Sequence, residues 1–157
     1  MHVLDILSRD RVALSGGSSR VRTKAEALRT LAELLARGDA SLTAADIEDV
    51  LVKREELQST GVGSGVAIPH GSMDRLERIV GALLVCKEPI DFAAIDGEPV
   101  SILFAVVGPK RSTGEHLKTL ARVSRLLRDD GFRQRLVESD KPDDALRLIG
   151  GEEGRPA

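Results

Sequence analysis

Apolar residues recur at helical spacing in the first third of the chain, where they include Leu28, Leu31 and Leu35. Such spacing places side chains on one buried stripe of a helix. Thr23 and Glu26 precede the stripe as a capping box, in which the hydroxyl and the carboxylate each accept an unpaired backbone N–H. Gly38 supplies a stop signal. The pattern therefore predicts a helix between these signals.

A second helix is predicted to begin near Thr43 and to end at Arg54 or Glu55. Its buried stripe would consist of Ile47, Val50 and Leu51. Ahead of the first helix, residues 3–7 are typical of a short amphipathic turn and residues 12–14 of a short strand.

Two nearly continuous apolar runs, 79–85 and 100–107, occupy the middle of the chain. Runs of this kind are typical of central strands that are covered on both faces. Residues 66–68 favour a further short strand, which Pro69 ends. The segment 58–65 is predicted to be a loop because Gly, Ser and Thr are frequent in it.

The last third of the chain predicts three helices. The first begins near Thr113, the second carries Phe132, and the third begins at Asp140 with Pro142 in its first turn, where proline fits well. Gly150-Gly151 is expected to end the third helix. The predicted buried positions of the three helices are Leu117, Leu120, Ala121, Leu127, Phe132, Leu136, Leu146 and Ile149.

The order of the elements is helices, then strands, then helices. This order predicts an α+β domain with three layers, α/β/α, in which helices cover both faces of a mixed sheet of about four to five strands. No internal repeat or linker divides the chain. Residues 1–150 are therefore predicted to form one domain, and residues 151–157 a short polar tail.

Composition narrows the class of function. The 157 residues include no Trp, no Tyr and three Phe, and their formal net charge is -2. With no basic face and few aromatic residues, a nucleic-acid surface is not expected. The single cysteine, Cys86, lies in an apolar run and predicts a buried thiol, and one cysteine with three histidines leaves little for a zinc site. No signal peptide or membrane span is recognisable, so a cytoplasmic protein without membrane insertion is expected.

Two glycine-rich segments invite comparison with phosphate-binding loops, and neither matches one. Residues 61–65, GVGSG, lack the final gap of the dinucleotide motif and lead into an extended segment rather than a helix. Residues 108–114, GPKRSTG, lack the Lys-Ser/Thr pair of the P-loop. A nucleotide cofactor is therefore not expected, although the start of a helix after a strand can still favour an anion.

The histidines carry a more specific signal. His70 follows Ile-Pro and precedes a glycine, which predicts that it projects from a rigid, narrow turn. His116 falls in the first turn of a predicted helix, and His2 adjoins the start of the sequence. Taken alone, each histidine, like Arg54 at a helix end, is more often a surface residue than a functional one.

The surrounding motif changes this balance. Residues 54–71, REELQSTGVGSGVAIPHG, resemble the signature of phosphotransferase-system enzyme IIA domains of the fructose, mannitol and nitrogen-regulatory type. The resemblance continues through PIDF at 89–92, DGEPV at 96–100 and HLKTLA at 116–121. It covers nearly the whole chain in the expected order and implies the type-2 enzyme IIA fold.

The resemblance also implies roles for three residues. His70 matches the histidine that accepts a phosphoryl group, through Nε2, from a phosphohistidine carrier protein of the HPr or NPr type. His116 matches the second active-site histidine, which donates a hydrogen bond to the phosphoryl group, and Arg54 matches the arginine that stabilises its charge. The implied activity is that of a phosphotransferase with a phosphohistidine intermediate and no metal or cofactor.

These residue types suit that chemistry. Imidazole, with an ordinary pKa of about 6.5, is partly deprotonated at neutral pH and can act as a nucleophile. Phosphoryl transfer needs in-line positioning and stabilisation of the phosphoryl oxygens, and Arg54 is a permanent planar cation. His116 is expected to be a neutral donor because the helix dipole disfavours its charged form.

The chain departs from the family pattern in two places. Gln58 stands where a glycine is usual, and residues 107–110, VGPK, replace a more apolar stretch that usually ends in Pro-Glu. Neither change removes a reactive group. The second alters the rim around His116 and therefore bears on the choice of partner.

Four functions remain open from the sequence. A stand-alone regulatory enzyme IIA of the nitrogen type, acting on target proteins, is favoured because the complete signature occurs without an attached transporter domain. The sugar-uptake form would instead pass the phosphoryl group from His70 to a cysteine of a separate enzyme IIB. A binding module without chemistry is disfavoured because Arg54, His70 and His116 are all present. A two-histidine metal site lacks a carboxylate or cysteine at ligand spacing.

Overall fold

The computed structural model describes residues 2–154. Its strands and α-helices are, in chain order, β1 (Val12–Ser15), α1 (Lys24–Ala36), α2 (Ala44–Leu57), β2 (Gly61–Gly63), β3 (Val66–Ala67), β4 (His70–Met73), β5 (Val80–Ile90), β6 (Val100–Pro109), α3 (Thr113–Leu126), α4 (Asp130–Val137) and α5 (Pro142–Glu153). The predicted turn near the start is a 3₁₀ helix, Val3–Ile6. None of the helices within residues 2–154 is long and apolar enough to cross a membrane.

The strands form one mixed six-stranded sheet with β5 and β6 at its centre. β5 is antiparallel to β6, and β1 lies parallel to β5 at one edge. Along the other flank of β6, β3 and then β4 pair with it in parallel, while β2 forms an antiparallel pair with β3. The mixed sheet is confirmed. The predicted loop 58–65 is wrong in part, because it contains β2, and β4 was not predicted.

Helices cover both faces of this sheet, as predicted. Alternate residues of β6 point to opposite sides, so that Leu103 packs with α1 and α2 and Phe104 packs with α3, α4 and α5. Both clusters are largely aliphatic, and β5 contributes Leu84 to the first and Leu83 to the second. The three-layer α/β/α architecture therefore follows from two central strands that are apolar on both faces.

Side-chain caps fix the starts of the first two helices. The Thr23 hydroxyl accepts the Glu26 N–H at 3.1 Å, and the Glu26 carboxylate accepts the N–H of Arg22, at 2.8 Å, rather than that of the cap residue. At α2, the Thr43 hydroxyl accepts the Asp46 N–H at 3.2 Å. The predicted helix starts are confirmed, whereas α2 ends at Leu57, beyond the predicted end.

The predicted buried face of α3 is wrong in part, because Leu127 is buried as predicted but the other three positions are not. Leu117 is 61% exposed, Ala121 is exposed and Leu120 is only partly buried. The side chains that α3 buries are instead those of His116, Thr119, Val123 and Leu126. The His116 ring packs against β6 at Gly108, and Leu117 beside it faces outward.

The predicted end of α5 is also wrong, because the helix passes through Gly150-Gly151 and ends at Glu153. The Glu153 carboxylate accepts the backbone N–H groups of Val3 at 2.7 Å and Leu4 at 3.3 Å. These bonds hold the last turn of the helix against the first 3₁₀ turn. Residues 155–157 of the predicted tail lie outside the described residues.

Candidate functional site

The junction between β3 and β4 determines where His70 lies. His70 is the first residue of β4 and is the pairing partner of Val106 on β6. Just before it, the Pro69 carbonyl accepts the Val106 N–H at 2.9 Å, so hydrogen bonding to β6 continues between the two short strands. The prediction that His70 projects from a narrow turn is therefore wrong, since the residue belongs to the sheet. Gly71 is needed next because an added Cβ would overlap Val50 of α2.

One backbone hydrogen bond orients the His70 ring. Its Nδ1 lies 2.8 Å from the Ile68 carbonyl oxygen. A carbonyl can only accept, so Nδ1 carries the hydrogen and Nε2 keeps its lone pair in the neutral ring. Burial lowers the pKa of His70, and the charge of Arg54 adds to this effect, against the hydrogen bond to Ile68 and the charge of Glu55. The geometry therefore presents a neutral imidazole with a free Nε2.

His116 lies beside His70, and the two ring centroids are 5.9 Å apart with the planes inclined by 53°. The His116 side chain is buried. Among the buried side-chain nitrogen and oxygen atoms of the described residues, its Nδ1 is the one that lacks a hydrogen-bond partner. Burial lowers the pKa of His116, and the neighbouring His70 lowers it further. Both effects favour the neutral form that the proposed donor role needs, and burial is the larger of the two.

Arg54 reaches the site from the last turn of α2. Its guanidinium donates a hydrogen bond to the Gln58 carbonyl at 2.9 Å. Arg54 and His70 line the same open cavity, whose volume is about 370 Å³. Ile68 and several other residues also line it. His116 is not part of the cavity lining. The structure therefore brings the two histidines into contact, and it places Arg54 and His70 in one cavity.

A buried carboxylate fixes the segment that follows Arg54. Glu55 accepts the backbone N–H of Thr60 at 2.7 Å and also its hydroxyl, and the Lys24 ammonium lies 3.0 Å from the same carboxylate. The Lys24 ammonium also lies 4.7 Å from the centre of the Phe92 ring. Sequence reasoning did not single out Glu55. The available signal was its place one turn after Leu51, on the buried stripe of α2.

Exposed apolar side chains occur in the cavity lining and next in sequence to residues of the site. Among the residues described, the large hydrophobic side chains that remain exposed are Leu57, Val62, Ile95 and Leu117. Val62 and Ile95 line the cavity itself, Leu57 ends the helix that carries Arg54, and Leu117 follows His116. We call these four residues the apolar rim. Grouped exposed apolar surface of this kind is typical of a protein-binding site.

No metal-binding cluster is present in the described part of the chain. Among residues 2–154, no three His, Cys, Asp or Glu side chains are grouped so that they could hold a metal ion. Cys86 is buried, and burial raises the pKa of its thiol to about 11.

Comparison with known proteins places these features in a family. Residues 6–151 match the family described as "Phosphoenolpyruvate-dependent sugar phosphotransferase system, EIIA 2". A nitrogen regulatory protein of Bradyrhizobium diazoefficiens is 43% identical over 120 residues, which are 76% of this chain and 78% of that protein.

Two solved structures share the architecture. The nitrogen regulatory protein IIA-Ntr of Neisseria meningitidis superposes with a TM-score of 0.84 at 33% identity, over 92% of this chain and 97% of that one. The Escherichia coli mannitol enzyme IIA, solved in complex with phosphorylated enzyme IIB, superposes with a TM-score of 0.76 at 21% identity, over 92% of this chain and 97% of that one. The second likeness concerns the fold alone.

Proposed function

The chain belongs to the EIIA type 2 family of the phosphoenolpyruvate-dependent sugar phosphotransferase system, and we propose that His70 is the residue at which it carries a phosphoryl group. The phosphoryl-carrier role follows from the family. The nitrogen regulatory relatives favour a regulatory protein of the nitrogen type over a sugar-uptake component. The donor would be a phosphohistidine carrier protein of the HPr or NPr type.

The orientation of His70 is the observation that carries the proposal. Because Nδ1 donates to Ile68, the lone pair of Nε2 is available to attack the phosphorus of the donor's phosphohistidine. A bond from Nε2 to phosphorus forms while the donor's N–P bond breaks, and that bond's electron pair returns to the donor's ring nitrogen. No net oxidation occurs, and the same exchange in the opposite sense passes the group to the next acceptor.

The surroundings of Nε2 support the same role. Arg54, in the cavity that His70 lines, supplies a permanent positive charge for the phosphoryl oxygens. His116 lies beside His70, and burial lowers its pKa and so favours the neutral ring, which can donate one further N–H. The apolar rim offers a protein donor a surface around the nucleophile, as transfer between two proteins requires.

A labelling experiment tests the proposal. The protein is incubated with a phosphorylated histidine carrier, and the label is examined for the acid-labile, alkali-stable behaviour of phosphohistidine. We expect one labelled site, which is lost in His70→Ala and kept in the matched control His2→Ala. Retention of the label in His70→Ala would rule out His70 as the acceptor.

A second measurement separates regulation from sugar uptake. The labelled protein is mixed with an enzyme IIB that carries its acceptor cysteine, with and without the sugar substrate of the corresponding transporter. For a nitrogen-type regulatory protein we expect the label to remain on His70. Rapid, sugar-dependent discharge would favour the uptake function, and the mannitol complex provides a precedent for that pairing in a protein of this fold.

A further inference from the structure

Gly108 lies where a side chain would collide with His116. A Cβ built on Gly108 would stand 2.8 Å from Nδ1 of His116 and 3.1 Å from Cγ1 of Ile79. Carbon and nitrogen atoms that are not bonded do not approach so closely in a well-packed interior. Gly108 is not among the glycines with positive φ, so backbone conformation does not demand glycine there. The requirement is for space.

The His116 ring occupies the space that the missing side chain leaves. This position accounts for two properties of the ring, namely its burial and the absence of a partner for Nδ1. On the other side of the contact, Gly108 is held in β6 by pairing with Ser72 of β4. If a Cβ were added, the ring would move more readily than the paired strand, because an imidazole turns about two single bonds.

We propose that Gly108 is a positioning residue, which sets the place of His116 relative to His70 by leaving the ring room against the bare backbone of β6. The inference rests on the proposed phosphoryl transfer at His70 and deepens it. It also gives a structural meaning to the VGPK segment at 107–110, in which the chain departs from its family. Gly108 touches no phosphoryl group and acts through His116.

A double-mutant cycle tests this role. The rate of labelling by the phosphorylated carrier is measured for Gly108→Ala, for His116→Ala and for the two combined. We expect Gly108→Ala to slow labelling by up to about 10-fold, the effect expected for loss of His116 itself, because a displaced ring no longer assists transfer. In the His116→Ala background the same change should have no further effect, because the displaced ring is gone.

Gly114→Ala is the matched control, because a Cβ at this nearby glycine in the first turn of α3 meets nothing within 4 Å. Its labelling rate should equal that of the unaltered protein. Equal slowing by Gly114→Ala, or full slowing by Gly108→Ala in the absence of His116, would overturn the proposal. An unchanged rate in Gly108→Ala would overturn it as well.

Imidazole NMR of the unphosphorylated protein gives a readout that does not depend on transfer. Gly108→Ala should shift the ring signals of His116, and Gly114→Ala should leave them in place. If the unaltered protein takes up no label, the proposed function is wrong. The spectra still show, independently of labelling, whether Gly108 determines the position of the His116 ring. If Gly108→Ala does not fold, folding of Gly108→Ala/His116→Ala supports the ring contact, whereas unfolding of both variants refutes it.

Discussion

His70 and His116 are neighbouring rings, but different kinds of contact hold them in place. Around His70, polar contacts dominate: the ring donates to the Ile68 carbonyl, and Glu55 bonds to Thr60 beside the cavity. The His116 ring packs against β6 at Gly108, and its Nδ1 has no hydrogen-bond partner within the described part of the chain. In the proposed roles, the difference means that a hydrogen bond defines the tautomer of His70, whereas packing defines the place of His116.

The largest effect expected from this comparison is at Arg54. Arg54→Ala removes the permanent cation from the cavity that His70 lines. We expect the rate of labelling to fall by about 100-fold or more, because the developing charge loses a preorganised donor. Arg54→Lys should restore part of the rate, because it keeps the charge but loses the planar pair of donors. Rapid-quench labelling measures both. An unchanged rate of labelling in Arg54→Ala would show that the Arg54 cation does not assist transfer at His70.

Substitution of Glu55 tests whether the polar contacts beside the cavity also stabilise the fold. Glu55→Ala leaves the buried N–H and hydroxyl of Thr60 without their acceptor, which should lower the free energy of unfolding by about 2–3 kcal/mol. Glu56→Ala, at the exposed neighbouring position, should change it by less than about 0.5 kcal/mol. Denaturant unfolding measures the two variants. Equal stabilities would show that the Glu55 contacts contribute nothing.

His116→Ala should have a smaller effect on transfer than Arg54→Ala. The variant should still accept a phosphoryl group on His70 but exchange it about 10-fold more slowly, because one neutral donor is lost and the arginine remains. The label is followed in both directions, onto the protein and back to the carrier. Unchanged kinetics in both directions would refute an assisting role for His116.

The smallest effect should be on stability at mildly acid pH. Burial lowers the pKa of both histidines, so the folded protein keeps them neutral while the unfolded chain protonates them near pH 6.5. The stability that the two neutral histidines contribute is therefore complete above about pH 6.5. It is lost as the pH falls toward the lower pKa values of the folded state. Unfolding followed between pH 7.5 and about 5 should show this decline. A steeper decline in His70→Ala/His116→Ala would contradict the assignment.

The sequence predicted the parts of the fold that depend on local pattern. The cap at Thr23, the helix start near Thr43 and the long runs that became β5 and β6 follow from local signals, and the structure confirms them. β4 has no such signal, because HGSM shows neither an apolar run nor alternation, and its strand state depends on pairing with β6. The contact between Gly108 and His116 depends likewise on distant parts of the chain.

The error on α3 has a different origin. Leucine spacing identifies an apolar face but does not say what covers it. In α3 the apolar face at Leu117 points outward as part of the apolar rim, whereas the face with His116 and Thr119 meets the sheet. A sequence rule that assigns leucines to the core fails where a polar face of the helix packs on the sheet and a leucine stays exposed.

Pairing of β6 on both flanks has a consequence for hydrogen exchange. The Val106 N–H bonds to Pro69, and the N–H groups of Ser101 and Ile102 bond to Gly65, so these amides should exchange only when the whole domain opens. β2 is a three-residue edge strand and should exchange through local opening. Docking of a protein can thus reshape the rim at Val62 on β2 while the backbone beneath His70 keeps the protection of the core.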